Sequence, residues 1–303
     1  MTSGLLPEAP FGRVLTAMVT PFRDDGSLDL EAAARVAEHL ADHGHDGVVV
    51  LGTTGESPTV GPDEAGRLLR AVVDAVGDRM RVVAGVGSND TAHSVVLAEQ
   101  AEKSGAHGLL LVTPYYNKPS QEGVAAHFEA VANASGLPVL LYDIPGRTGI
   151  AIAEDTYKRV AAHDRIVAVK DAVGDLSRGV RIMMQTGLSV YSGDDDMNLG
   201  WLTHGAAGVV SVVGHAAGKE YAAMVAAVDS GDLATALACY RRLVPVVDAV
   251  MRRAPGAMMA KAALQLLGVL DNRTMRLPLV PASDDLVAGL RTALADAGLL
   301  PTD

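Results

Sequence analysis

Two periods of apolar residues run along this chain. Short, almost wholly apolar runs lie at 14–20, 47–51, 81–85, 108–112, 138–142, 166–172, 189–192 and 208–212. Runs of this length without polar alternation are expected of parallel strands covered on both faces. The stretches between them have helical spacing. After Asp29, Leu30, Ala33, Ala37 and Leu40 share one face; after Ser120, Val124, Phe128 and Val131 do the same. Further helices are expected from Asp63, from Thr91, over 153–162, through Ile182 and Met183, and around Trp201. Glycines at 44, 77, 105, 136, 187 and 205 read as helix stops.

Eight strands alternating with helices predict an α/β fold, a (β/α)8 TIM barrel. The rival is an open doubly wound sheet. That fold wants a glycine-rich phosphate loop after its first strand, and Thr20, Pro21, Phe22 and Arg23 do not supply one. Beyond Gly218 the pattern is helical only, at 220–229, 233–252, 257–267 and 284–297. The expected division is a barrel over 1–231 and a C-terminal helical domain over 232–303.

Composition narrows the classes. At 303 residues and 49% hydrophobic, the chain can bury a large core. A net charge of −11 argues against nucleic acid or an anionic membrane as partner. One cysteine, Cys239, excludes an intrachain disulfide framework and fits a reducing compartment. Residues 1–12 lack the basic start and apolar core of a secretory signal, and no apolar run is long enough to span a bilayer. The expectation is a cytoplasmic protein.

The sixth apolar run ends on Lys170. Burial disfavours an ammonium, and an amine brought from about 10.4 towards about 7 is a nucleophile that forms imines with carbonyl compounds. The bland alternative is a lysine that snorkels to water or pairs with Asp171. Barrel active sites lie at the carboxyl ends of the strands. There the second strand gives Gly-Thr-Thr-Gly-Glu-Ser (52–57), the fourth Pro-Tyr-Tyr-Asn-Lys-Pro (114–119), the fifth Tyr142 with Arg147 after it, and the seventh Ser192 to Asp195. Convergence of hydroxyls, phenols and one amine at a single mouth favours catalysis by Lys170.

Taken singly, these signals are weaker. Thr53 and Thr54 could hold a small carboxylate or form an ordinary turn. Tyr142 could move protons or be a core tyrosine. Arg147 could clamp a carboxylate or be a surface charge. Asp194, Asp195 and Asp196 read as a solvated or helix-capping run, since no histidine pair accompanies them at ligand spacing. The nine histidines receive no role. Three aspartates after the seventh strand disfavour a phosphorylated substrate.

The two loop motifs, with Tyr-Asp-Ile-Pro-Gly-Arg at 142–147 and Val169 to Asp171, resemble the pyruvate-dependent Schiff-base lyases and aldolases. Within them the likeness is to the dihydrodipicolinate synthase family, and it runs from about residue 15 to 281. The resemblance implies that Lys170 forms an imine with pyruvate. It implies that Tyr142, Thr53 and a neighbouring subunit's Tyr116 relay protons, and that Thr54 holds the pyruvate carboxylate. Arg147 would meet the carboxylate of aspartate semialdehyde, and Gly193 and Val210 would line the site with backbone groups. It implies a lyase of the diaminopimelate route to lysine, usually a homotetramer, with no metal or organic cofactor. Alternatives are an aldolase using pyruvate with another aldehyde, such as a 2-keto-3-deoxy sugar acid or N-acetylneuraminate lyase, and a non-catalytic pyruvate-binding protein. Family members inhibited by lysine bind it at a dimer interface. There Ser57, Asn89 and Tyr115 match, while Pro62 and Ala65 stand where histidines are common and His93 where glutamate is common. Weak or absent inhibition by lysine is therefore expected. Asp196, where a small residue is common, has no assigned consequence.

Overall fold

The computed structural model describes residues 7–300. The reading of the extreme N-terminus as lacking a signal falls partly on residues 1–6, outside the described residues.

Eight parallel strands close into a barrel in sequence order: β1 (Val14–Ala17), β2 (Gly47–Val50), β3 (Arg81–Gly85), β4 (Gly108–Val112), β5 (Val139–Asp143), β6 (Ile166–Asp171), β7 (Ser189–Ser192) and β8 (Gly208–Ser211), with β8 pairing back to β1. The barrel therefore wins over the open sheet. Side chains alternate inside and outside along each strand. Val49, Leu110, Leu140, Tyr142, Ala168, Tyr191 and Val210 fill the interior, whereas Val48, Leu109, Leu141 and Val169 face the helices. This double burial explains why the strands read as continuous apolar runs.

The helices of the barrel are α1 (Leu30–Asp42), α2 (Pro62–Val76), α3 (Thr91–Lys103), α4 (Gln121–Asn133), the single turn α5 (Pro145–Thr148), α6 (Glu154–Val160), α7 (Leu176–Thr186), α8 (Asn198–Thr203) and α9 (Gly214–Asp229). Caps follow the expected chemistry. The Asp29 carboxylate accepts from Ala32 N–H and the Ser120 hydroxyl from Gly123 N–H. Gly44, Gly105, Gly187 and Gly205 do adopt positive φ after helices, but Gly77 ends α2 at φ −64°, a conformation open to any residue. The helix expected from residue 220 begins six residues earlier, kinked at Ala217. Its start was hidden by two glycines, which lower helix propensity.

After residue 231 come α10 (Leu233–Val247), a π turn (Asp248–Arg252), α11 (Gly256–Leu266) and α12 (Asp284–Asp296). The expected single helix over 233–252 is thus interrupted. Pro245 sits inside α10, where it lacks the N–H an α-helical ladder needs, and the ladder relaxes into the wider turn just after it. These helices share an apolar core with α9, β1 and β8.

Two histidines left without a role prove structural. His45 Nδ1 donates to the Leu40 carbonyl and Nε2 accepts from the Thr16 hydroxyl; His215 Nδ1 donates to Val212 O and Nε2 accepts from Val19 N–H. They join α1, β1 and β8 where the barrel closes. Burial holds His45 down at about 3 and His215 at about 4, so both stay neutral.

Candidate active site

Tyr142 and Lys170 face each other across the β5–β6 register and both point into the barrel. The Lys170 amine stands 4.3 Å from the centre of the Tyr142 ring. Lys170 is 4% exposed and has neither an ion pair nor a hydrogen bond among the described residues. The snorkelling and pairing alternatives both fall, because Asp171 points the other way and pairs with Arg178 at 3.3 Å. Burial lowers the Lys170 amine to about 8, helped by the positive field of Arg147 and opposed by Asp195. The direction is the expected one, but the value stops short of 7. About a tenth of the amines are then neutral at pH 7.

Gly193 lies along the lysine stem. A Cβ there would meet Lys170 Cγ at 2.9 Å and Cε at 3.0 Å, so only glycine leaves the stem its place. The Gly193 N–H already donates to Asp171 O at 2.7 Å, which leaves its carbonyl for a ligand. Val210 is buried in the same interior as Tyr142.

Tyr142, though not Lys170, lines a cavity of about 330 Å³ together with Thr53, Tyr116 and Arg147 among others. Its size suits small molecules rather than polymers. Burial raises the Tyr142 phenol to about 12, while Arg147 and the Thr53 hydroxyl pull it back, so it remains protonated at neutral pH. A protonated phenol beside an amine can pass protons without becoming a standing anion. Thr54 is buried, and neither its N–H nor its hydroxyl has a partner among the described residues. Arg147 rides on α5, a single helical turn too short to show a helical period, and has no carboxylate partner among the described residues. Tyr116 is 87% exposed and has φ +70°, a conformation in which a bulky residue is strained. It stands at the outer rim of the cavity, not packed within the chain.

Asp194 to Asp196 are not one solvated run. Asp194 caps the turn that follows it, Asp196 pairs with Arg252 at 3.1 Å, and Asp195 is 3% exposed. The buried carboxylate accepts from Tyr221 O–H and Asn198 N–H, from Val212 and Val213 N–H, and from the Ser211 hydroxyl. Its lone pairs are taken, and no group of three or more potential ligands suited to a metal occurs among the described residues.

A second hollow of about 520 Å³ is lined by Ser57, Pro62, His93 and Tyr115 among others, and no carboxylate lines it. Ala65 is instead buried in the core between helices.

Two buried charge clusters escaped the sequence reading. In one, Lys261 on α11 donates to Glu56 Oε1 at 2.6 Å and to Thr274 O at 2.7 Å, both ionic side chains being 1% exposed. Glu56 follows the two threonines in the loop after β2. In the other, Arg178 on α7 bridges Asp143 and Asp171, the last residues of β5 and β6. Strand alternation carries a signal for the second: if Tyr142 and Lys170 face inward, their successors face the helices and need a cation there.

Comparison with known proteins agrees with this geometry. Residues 10–297 match the family model described as the dihydrodipicolinate synthetase family. The chain is 60% identical, over 97% of its length and 96% of the relative's, to a protein of Kineococcus radiotolerans named 4-hydroxy-tetrahydrodipicolinate synthase. It is 55% identical, over 97% of each, to one of Streptomyces coelicolor named 4-hydroxy-tetrahydrodipicolinate synthase 2. Among solved structures, the synthase of Cyanidioschyzon merolae with lysine bound superposes with TM-score 0.93 at 42% identity, covering 97% of this chain and all of that one. The barrel, the loop motifs and these matches together place the chain: it belongs to the dihydrodipicolinate synthetase family.

Proposed function

We propose that this chain condenses pyruvate with L-aspartate 4-semialdehyde to 4-hydroxy-tetrahydrodipicolinate, the product for which the relatives are named, on the diaminopimelate route to lysine. One observation carries the reading: a buried amine with no ion pair among the described residues lies against a protonated phenol, and that phenol lines a small cavity together with Arg147.

The neutral Lys170 amine attacks the keto carbon of pyruvate, and loss of water gives the imine. Thr54 N–H and hydroxyl hold the pyruvate carboxylate. Loss of a methyl proton gives the enamine, with the imine nitrogen as electron sink, so no metal or organic cofactor enters this scheme. The enamine carbon attacks the semialdehyde, whose carboxylate Arg147 binds in two-armed fashion. The substrate's own amine then displaces Lys170 and closes the ring. Tyr142 moves the protons, through Thr53, to a tyrosine at position 116 contributed by another subunit. The outward Tyr116 supports an oligomer, and a homotetramer is the assembly we favour. We assign the barrel to 1–231 and the helical domain to 232–303. No helix among the described residues is long and apolar enough to cross a membrane, and the cytoplasm is the compartment we assign.

The test is turnover of pyruvate with aspartate semialdehyde, followed by product reduction. Cleavage of a 2-keto-3-deoxy sugar acid with no turnover of the semialdehyde would replace the reading with the paralogous aldolase. Imine formation without turnover of either aldehyde would leave a pyruvate-binding protein.

A further inference from the structure

The Asp143–Arg178–Asp171 cluster sits one rung beyond the reactive pair. In the β5–β6 register Tyr142 opposes Lys170 and Asp143 opposes Asp171. The inward pair does the chemistry and the outward pair meets Arg178. Its guanidinium donates from Nη2 to Asp143 Oδ2 at 2.8 Å and from Nη1 to Asp171 Oδ2 at 3.3 Å. Both carboxylates are fully buried. Tyr157 O–H donates to Asp143 at 3.1 Å and Val173 N–H to Asp171 at 2.8 Å.

The cluster also holds the segment that carries Arg147. Ile152 N–H donates to Asp143, and Ile152 O accepts from Arg178 Nη2 at 2.5 Å. Thr148 binds the Ile144 and Ile150 carbonyls, which stiffens the stretch between the strand end and this anchor. Gln121 supplies a second anchor at Ala151 and Ala153. One guanidinium thus touches the ends of both reactive strands and the base of the Arg147 loop. Two buried acids on one base is a costly way to join two strands, since apolar residues of like volume hold a fold as well.

We infer that Arg178 is a positioning residue: it fixes the Lys170–Tyr142 spacing and the placement of Arg147 relative to it. The inference rests on the proposed condensation. Asp171 is the weaker arm of the clamp, its contact with Arg178 being 3.3 Å against 2.8 Å for Asp143, and burial raises both carboxyls. A lysine at 178 keeps a cation but cannot reach both carboxylates with a rigid fork.

The experiment uses the full chain with Arg178→Lys, and with Asp171→Asn as a milder variant that leaves Arg178 paired to Asp143. Thermal melting, both Michaelis constants, kcat and the rate of borohydride trapping with pyruvate are measured on each. In Arg178→Lys we expect kcat/KM for aspartate semialdehyde to fall about tenfold or more, with a smaller fall in the trapping rate. Asp171→Asn should move the same way by a smaller factor. Wild-type kinetic constants in either folded variant, with only the melting temperature lowered, would show a merely structural cluster. If Arg178→Lys does not fold, Asp171→Asn decides alone. A wild-type chain that fails to turn over the two substrates would instead remove the functional reading.

Discussion

Lys170 and Lys261 are both buried amines, 4% and 1% exposed, and burial lowers both to about 8. Each also stands 4.3 Å from an aromatic ring, Tyr142 for one and Phe22 for the other. By titration and burial they are alike. They differ in partners. Lys261 donates to a carboxylate and a carbonyl, and its charge is committed. Lys170 donates to nothing among the described residues, and the Tyr142 ring it stands against lines a cavity. A shifted amine is therefore no mark of catalysis by itself; the missing partner is what makes Lys170 the candidate.

The comparison breaks most severely at Lys170. Lys170→Ala should lower turnover by about 10⁴-fold or more. Borohydride with pyruvate should add mass to the native chain and not to the variant; label on another lysine, Lys261 above all, would overturn the assignment. Lys261→Met should instead destabilise the fold by about 3–5 kcal/mol, since Glu56 is left charged and buried. Adding Glu56→Gln should recover most of that loss in chemical denaturation, with pyruvate still trapped on Lys170. No recovery would mean that the pair is not the structural element described.

Proton uptake sharpens the contrast. The rate of imine formation should climb with pH up to about 8 and then level off, because only the neutral amine attacks. Stopped-flow trapping from pH 6 to 9 measures it, and a flat profile would contradict it. Stability has the same sign for both lysines. Between about 8 and 10.5 the unfolded chain binds protons that the folded chain has lost, so stability rises with pH across that window. The smallest effect concerns a third ammonium, that of free lysine. The hollow containing His93 has no carboxylate to meet it. Millimolar lysine should leave the rate unchanged, and half-inhibition below one millimolar would refute this.

Much of this was legible in the sequence. Continuous apolar runs gave the strands, because both faces of each are covered, and Lys170 stood out as the one cation at the end of such a run. The two loop motifs brought Thr53, Thr54 and Tyr116 forward as candidates. The Glu56–Lys261 pair was not legible, since 205 positions separate its members and only the docking of α11 brings them together. Asp195 misled for a related reason. Three adjacent aspartates look solvated, and nothing local shows that the middle one turns inward to five donors. The turn at Arg147 was too short for periodicity to register.

Gly193 has one more consequence. A lysine has about 1.5–2 kcal/mol of rotamer freedom to lose when it is held in place. With no room for even a Cβ between the Gly193 backbone and the Lys170 stem, that disorder is removed once, when the chain folds. In the proposed reaction each arriving keto acid then meets an amine already aimed, and the encounter itself need not include a search by the side chain.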